Sequence, residues 1–191
     1  MDFNLINTIS DFETGFIDGS DQVVTISEER DAGEQLYKGC KADYSFINDY
    51  RLQKIRSIKS KLQSVIKNKR GVNYSIYLIK DDMINAFTAG GYIFVTTGMM
   101  DFAENDDELA CVIGHEMAHN ERKHINHQLK KAKVNQAIFG DVLGDAASAL
   151  SFFVGAPFNQ KKETESDFHG IDYAVDAGYN GCAAIKLWKR M

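Results

Sequence analysis

The spacing of the apolar residues divides the chain into helical and extended parts. In residues 45–69, apolar side chains recur every three or four positions with lysines between them, which predicts an amphipathic helix. A shorter helix is predicted to start near Thr25, where either Thr25 or Ser27 can cap it. Residues 1–24 show little periodicity, so we expect a loosely ordered N-terminal segment followed by one domain over 25–191.

Three short apolar runs then indicate β-strands. The runs are YSIYLI at 74–79, MINAFT at 83–88 and YIFVTT at 92–97, and the turn-type residues KDD and AGG separate them. This pattern predicts a small three-stranded antiparallel sheet beside the helix that follows. With the helical segments around it, the sheet indicates an α+β fold that is mainly helical.

The next helical segment carries the most informative residues. It reads DELACVIGHEMAHNERKH, and Asn105 followed by Glu108 resembles a capping box at its start. The turns before His115 are apolar, which predicts that this part of the helix is buried. His115 and His119 lie four positions apart and therefore share one helical face, as two ligands of a Zn²⁺ ion must.

Glu116 is displaced around the helix from the two histidines. It is poorly placed as a third ligand but well placed to reach a water bound to the metal. Zinc lowers the pKa of such a water toward ~7, and a neighbouring carboxylate can accept its proton. HExxH therefore predicts two ligands and a general base. The alternative, a pair of surface histidines, fits badly, because burying these groups without a shared partner costs several kcal/mol.

A catalytic zinc site needs a third protein ligand and an open position. The continuation HEMAHNERKHI lacks the glycine and spacing that would supply a third histidine. A carboxylate from a later helix is the other common source, and Glu163 and Asp167 share a face there. Their spacing leaves open which one ligates the metal and which one orients a histidine ring. His124 is expected to rotate away from the metal face of a continuous helix.

Composition narrows the class of protein further. The 191 residues are 44% apolar and 26% charged, and the net charge of −5 gives no field suited to nucleic acid or an anionic membrane. The three cysteines form no CxxC pair. The longest apolar stretch, 137–158, is interrupted by aspartates and glycines, so we predict no transmembrane span. No export signal is visible at the N-terminus.

Three motifs in order resemble the M48 family of zinc metallopeptidases. They read NAFTAGGYIFVTTG, ELACVIGHEMAHNERKH and ETESDFHGIDYAVDAGYN. Ser166 stands where the family usually has alanine, and Lys123 stands where arginine is more usual. The resemblance covers roughly residues 25–191, and it implies a zincin-like, gluzincin-type metallopeptidase domain of the soluble cell-envelope branch.

The resemblance also implies roles for single residues. One Zn²⁺ ion would be bound by His115, His119 and Glu163, with Glu116 as the general base on zinc-bound water and Asp167 in hydrogen-bonding reach of the ligands. The implied activity is hydrolysis of peptide bonds in unfolded or misassembled proteins, as protein quality control in the bacterial cell envelope or periplasm. The alternative is a latent, zinc-stabilised binding or chaperone-like module with little turnover.

The implied partner is a polypeptide that adds to the sheet as an extra strand, with residues 92–97 as the edge strand. The residues implied to contact it are Asn85, Gly91, Tyr92, Ile93, Phe94 and Val95. The last helix is still amphipathic where it reaches Met191, so we expect the natural protein to continue. The sequence does not predict an oligomeric state.

Overall fold

The computed structural model describes residues 24–67, 70–139, 145–155 and 158–191, apart from the side chains of residues 134–139 and 155. The expectation that residues 1–24 are loosely ordered lies outside these residues, except for Val24. Within the described part, the chain forms eight helices and four strands: α1 (Ile26–Asp43), β1 (Phe46–Ile47), α2 (Tyr50–Val65), β2 (Ser75–Ile79), β3 (Ala86–Ala89), β4 (Tyr92–Thr96), α3 (Thr97–Phe102), α4 (Asp106–Glu121), α5 (His124–Phe139), α6 (Ala146–Gly155), α7 (Gln160–Asp176) and α8 (Cys182–Arg190).

Side-chain caps fix where the first two helices begin. Thr25 and Glu28 form a capping box at α1, in which the Thr25 Oγ1 accepts from the Glu28 N–H and a Glu28 carboxylate oxygen accepts from the Thr25 N–H. Asp49 caps α2 by accepting from the Arg51 N–H. The prediction of a helix from residue 45 is therefore wrong by five residues, and Phe46–Ile47 forms a short strand instead.

The sheet is mixed and has four strands in the order β1-β2-β4-β3. The α+β class is confirmed, but the prediction of a three-stranded antiparallel sheet is wrong, because β2 and β4 are parallel. The segment after β2 is tied to the far end of β4, where the Gly98 N–H donates to the Asp81 carbonyl (2.8 Å) and the Thr97 hydroxyl donates to the same oxygen (2.8 Å). The chain thus crosses the end of β4, and β3 pairs with its other side.

This order also overturns the prediction that residues 92–97 form an edge strand. β4 is paired with β2 on one side and with β3 on the other, so its main-chain groups are used within the sheet. The two edge strands among the described residues are β1 and β3. A two-residue turn, Gly90–Gly91, joins β3 to β4 with φ values of 54° and 87°, which suit glycine.

Apolar residues pack on both faces of the sheet. Ile76 and Ile93 belong to one cluster, which includes residues of α2 and α4. Phe87 and Phe94 belong to a second cluster, which includes residues of α1, α5 and α6. Helix α4 thus packs against one face of the sheet, and its buried residues include the apolar stretch that precedes His115.

Helices α4 and α7 approach each other at two glycines. A Cβ added at Gly114 would lie 2.6 Å from the Gly170 carbonyl oxygen, and one added at Gly170 would lie 2.5 Å from the His115 nitrogen. Only glycine fits such a backbone contact. It brings the N-terminal half of α7, with its acidic residues, beside the histidines of α4.

The helical region predicted at 132–155 appears as the C-terminal part of α5 and as α6. The predicted break at Pro157 lies outside the described residues. In the part of the chain that the structure describes, none of the helices has the length and apolar character needed to cross a membrane.

Candidate metal centre and cleft

Three predicted ligands converge on one point. The Nε2 atoms of His115 and His119 lie 2.8 Å apart. Glu163 completes the group, with its carboxylate oxygens 3.3 Å from His115 Nε2 and 3.8 Å from His119 Nε2. The three ligand atoms all lie within 4.8 Å of one another.

This donor set fits a divalent cation such as Zn²⁺. Ligands about 2.0–2.1 Å from a tetrahedral zinc ion are separated by about 3.3 Å, and the observed separations lie on both sides of that value. Two imidazole nitrogens that face each other can share only one proton, and the His119 side chain is only 2% exposed. A cation between the rings would bind both lone pairs, whereas the buried His119 ring has little access to water as another partner.

Asp167 orients the His115 ring. Its carboxylate accepts from His115 Nδ1 at 2.8 Å, which leaves the lone pair of Nε2 directed at the other ligands. Burial disfavours the charged form of His115, but the hydrogen bonds to Asp167 and Glu163 outweigh it and raise its pKa to about 10. Without a metal, the His115 ring therefore favours its charged form at neutral pH, with a proton on both ring nitrogens.

His119 is held by a different arrangement. Its Nδ1 lies 3.1 Å from His124 Nδ1, and His124 Nε2 lies 3.1 Å from a Glu165 carboxylate oxygen. If Glu165 accepts from His124 Nε2–H, His124 Nδ1 accepts from His119 Nδ1–H, and His119 Nε2 keeps its lone pair. Burial lowers the pKa of His119 to about 2, and the nearby charges of His115 and His124 act in the same direction.

The expectation that His124 turns away from the metal face is wrong, because the helix is not continuous. Helix α4 ends at Glu121, and Lys123 adopts a φ of 64°, so His124 begins a new helix that folds back beneath His119. His124 is buried, and burial lowers its pKa despite the bond to Glu165. Arg122 holds Glu165 in turn, at 2.6 Å. Local spacing gave no indication of Glu165.

Glu116 faces the cleft beside the ligand group and is 7% exposed. Burial raises its pKa to about 7, with His115 opposing and Glu163 reinforcing the shift. A buried carboxylate titrating near neutrality can exchange protons with a reacting group.

The cleft has a volume of about 440 Å³ and joins the metal ligands to the edge of the sheet. Its walls include residues of β3 and of α3, α4, α6, α7 and α8, and apolar side chains line much of it: Ala86, Phe87, Met99, Val112, Phe153, Val154, Phe158, Trp188 and Met191. The Phe158 ring stacks on His119, with centroids 3.9 Å apart. The structure thus joins distant parts of the chain in one groove.

Of the residues expected to contact a substrate, Asn85 lines the cleft. Gly91, Tyr92, Ile93, Phe94 and Val95 do not line it, and the last four belong to the internal strand β4. The strand at the cleft is β3, which the sequence did not indicate. The Thr96 N–H donates to the Asn85 carbonyl, so antiparallel alternation directs the main-chain groups of Ala86 and Thr88 away from β4.

A helix that presents two histidines and a glutamate, with a carboxylate from a later helix completing the donor set, defines the arrangement of a metallopeptidase centre. The profile of Peptidase family M48 matches residues 51–191. The chain belongs to this family.

Several curated proteins are similar to the chain. The mitochondrial metalloendopeptidase OMA1 of Arabidopsis thaliana is 28% identical over 181 residues, covering 91% of this chain and 37% of the relative. Metalloprotease LoiP of Escherichia coli is 31% identical over 182 residues, covering 89% of this chain and 69% of the relative. The beta-barrel assembly-enhancing protease of Escherichia coli is 24% identical over 176 residues, covering 82% and 36%.

The chain spans only part of several of these relatives. It corresponds to 37% of the Arabidopsis protein, 38% of its Saccharomyces cerevisiae counterpart and 53% of the Schizosaccharomyces pombe counterpart.

Proposed function

We propose that this protein is a zinc-dependent endopeptidase that hydrolyses peptide bonds of unfolded or misassembled polypeptides. The observation that carries the proposal is the convergence of His115, His119 and Glu163 beside Glu116, at the bottom of a cleft bounded by a sheet edge. The similar proteins are named as a metalloendopeptidase and a metalloprotease, which supports the same reaction class.

The ligand set would hold one Zn²⁺ ion, which supplies Lewis-acid polarisation of the scissile carbonyl and acidifies the attacking water. Glu116 would accept a proton from the attacking water and pass it to the leaving amine. Its pKa of about 7 suits both transfers, since near neutral pH the group populates both the carboxylate, which accepts a proton, and the carboxylic acid, which donates one. Asp167 and His124 keep the two imidazole rings aimed at the centre.

The substrate would bind as an extended strand along β3. Ala86 and Thr88 direct main-chain groups away from β4, and both residues line the cleft. Main-chain hydrogen bonds of this kind give affinity with little sequence preference, which suits unfolded polypeptides. Asn85, at the start of the strand, is the side chain we expect to contact the bound main chain.

Replacing Glu116 by glutamine tests the proposal. The variant keeps the ligands but loses the base, so cleavage of a reduced, unfolded protein should fall about 10²–10⁴-fold while zinc content is retained. Glu34→Gln, at an exposed position on α1, is the matched control and should cleave normally. Cleavage by Glu116→Gln at the rate of the unaltered protein would remove Glu116 from this role.

A latent binding module with little turnover is the second candidate function. It is favoured by the Phe158 ring, which stacks on His119 within the cleft. If this candidate holds, the zinc-loaded protein binds unfolded polypeptides without cleaving them, and Phe158→Ala raises turnover. Cleavage that is unchanged by Phe158→Ala and abolished by a chelator favours the peptidase.

The compartment is proposed to be the bacterial cell envelope. The similar bacterial proteins include a beta-barrel assembly-enhancing protease, although other relatives are named as mitochondrial. Fractionation of cells that make the protein tests this directly, since recovery in the cytosol would contradict it.

A further inference from the structure

A fully buried asparagine lies one helical turn beyond Glu116. Asn120 is 0% exposed, and its side chain joins α4 to the β3–β4 hairpin. Its Oδ1 accepts from the Gly91 N–H at 2.9 Å. Its Nδ2 donates to the Thr88 hydroxyl at 2.9 Å and to the Glu116 carbonyl at 2.9 Å.

The geometry leaves the amide no second orientation. The Gly91 N–H can only donate, so the atom it meets must be the oxygen, and both hydrogens of Nδ2 then have acceptors. The Thr88 hydroxyl accepts from Asn120 and donates to the Tyr92 carbonyl at 2.8 Å. A buried amide with this many satisfied bonds strongly specifies the relative position of the parts it joins.

These parts are the strand edge and the helix of the metal centre. Thr88 belongs to β3, and its main-chain groups point away from β4. The Glu116 carbonyl belongs to the residue proposed as the general base. The hairpin also packs on the backbone of α1, because a Cβ added at Gly90 would overlap the Glu29 carbonyl oxygen. Asn120 therefore provides the link from the hairpin to the metal-binding helix.

We propose that Asn120 is a positioning residue that fixes the distance between β3 and Glu116. A polypeptide paired with β3 then presents its scissile bond to the candidate metal centre. This inference rests on the proposed function, since it concerns the same cleft. Asn120 touches neither the ligands nor the substrate, and it acts through the position of Thr88 and Gly91.

Hydrogen exchange tests the link without any assay of activity. Asn120→Leu keeps the size of the side chain and removes its three hydrogen bonds, so the Gly91 amide should exchange about tenfold faster. Asn180→Leu is the control, because Asn180 accepts from the Cys182 N–H in the turn between α7 and α8, away from the hairpin. It should leave Gly91 exchange unchanged. Equal exchange of Gly91 in both variants and the unaltered protein overturns the link.

Kinetics test the consequence for substrate binding. In Asn120→Leu, KM for an unfolded polypeptide should rise about tenfold while bound zinc stays stoichiometric. A fall in the folded fraction alone lowers the apparent kcat and leaves KM unchanged, so a changed KM separates positioning from stability. An unchanged KM overturns the proposal. If the unaltered protein cleaves nothing, the proposed function fails, and the exchange experiment still decides the link.

Thr88 offers a second pair of variants, in case Asn120→Leu does not fold. Thr88→Val removes the hydroxyl at constant shape, and Thr88→Ser keeps it. The exchange of Gly91 should be faster in Thr88→Val, because the Asn120 amide loses one of its anchors, and close to normal in Thr88→Ser. Equal exchange in the two variants contradicts the proposal.

Discussion

The surroundings of His115 and of His119 differ sharply, although both side chains come from one helical turn. His115 is partly exposed, with 17% of its side chain accessible, and a carboxylate holds its ring directly. His119 is 2% exposed, and another imidazole holds its ring. Burial lowers the pKa of His119 to about 2, whereas Asp167 and Glu163 overcome burial and raise the pKa of His115 to about 10.

This difference shows that the two imidazoles of the candidate metal centre have two kinds of support. The charged acceptor Asp167 raises the pKa of His115, so that a metal ion would compete with a proton for Nε2 at neutral pH. His119 has a neutral acceptor, and its ring is already in the neutral form. The charged group, Glu165, contacts His124 rather than His119. The predictions below test this contrast through metal affinity, because that quantity reports both rings at once.

The largest expected effect is the pH dependence of zinc affinity. Below pH 10 the His115 proton competes with the metal, so affinity should rise with pH, by about tenfold per unit and a hundredfold from pH 6 to pH 8. His119 adds nothing in this range, since it is neutral throughout. Competition with a chelator, corrected for its own protonation, measures the slope. A slope of zero would contradict the contrast between the rings.

Asp167→Asn should weaken zinc binding about 10–100-fold at neutral pH. The amide can still accept from His115 Nδ1, but the negative charge that stabilises the protonated ring and strengthens the ligand is lost. The pH dependence should also flatten near neutrality, because the pKa of His115 falls. Asp172→Asn, at an exposed position on the same helix, is the control and should bind zinc normally.

His124→Leu should weaken zinc binding about tenfold, at the lower end of the range for such partners. The His119 Nδ1–H then has no acceptor in a buried site, which penalises the tautomer needed at the metal. The slope with pH should not change, because His115 is untouched. His169→Leu removes a histidine that stacks on Tyr173, outside the ligand group, and serves as the control. An altered slope in His124→Leu would argue against separate supports.

Glu165→Gln should have the smallest effect, about threefold on zinc affinity. The amide oxygen can still accept from His124 Nε2–H, so only the extra strength of the charged bond is lost. The same competition experiment measures it. A loss as large as that of Asp167→Asn would mean that His119 relies on a charged partner after all.

The sequence located several parts of the site because they depend on local periodicity. His115, Glu116 and His119 lie in one helix, and the i, i+4 rule places two rings together in any such helix. Glu163 and Asp167 were found as a pair in the same way, although their spacing did not say which one faces the other ligands. The sequence offered Thr25 or Ser27 as the cap of the first helix, and the structure shows a capping box at Thr25.

Other features depended on contacts between distant parts of the chain. The strand β3 could not be placed at the edge, because alternation identifies a strand but not its neighbours. The position of His124 depended on a single backbone conformation at Lys123, which ended the helix. The sequence gives Asn120 no feature that separates it from other helical residues, because its role depends on the hairpin that packs on it.

The sequence by itself determined the metal-type motif, the acidic helix that follows it and the α+β class, because these arise from interactions among residues close in the chain. Only the tertiary structure decided that β3 borders the cleft, that Glu165 and His124 support His119, and that Asn120 joins the hairpin to the helix. The physical reason is that these depend on strand order and on helix packing at Gly114 and Gly170, which bring together groups far apart in the chain.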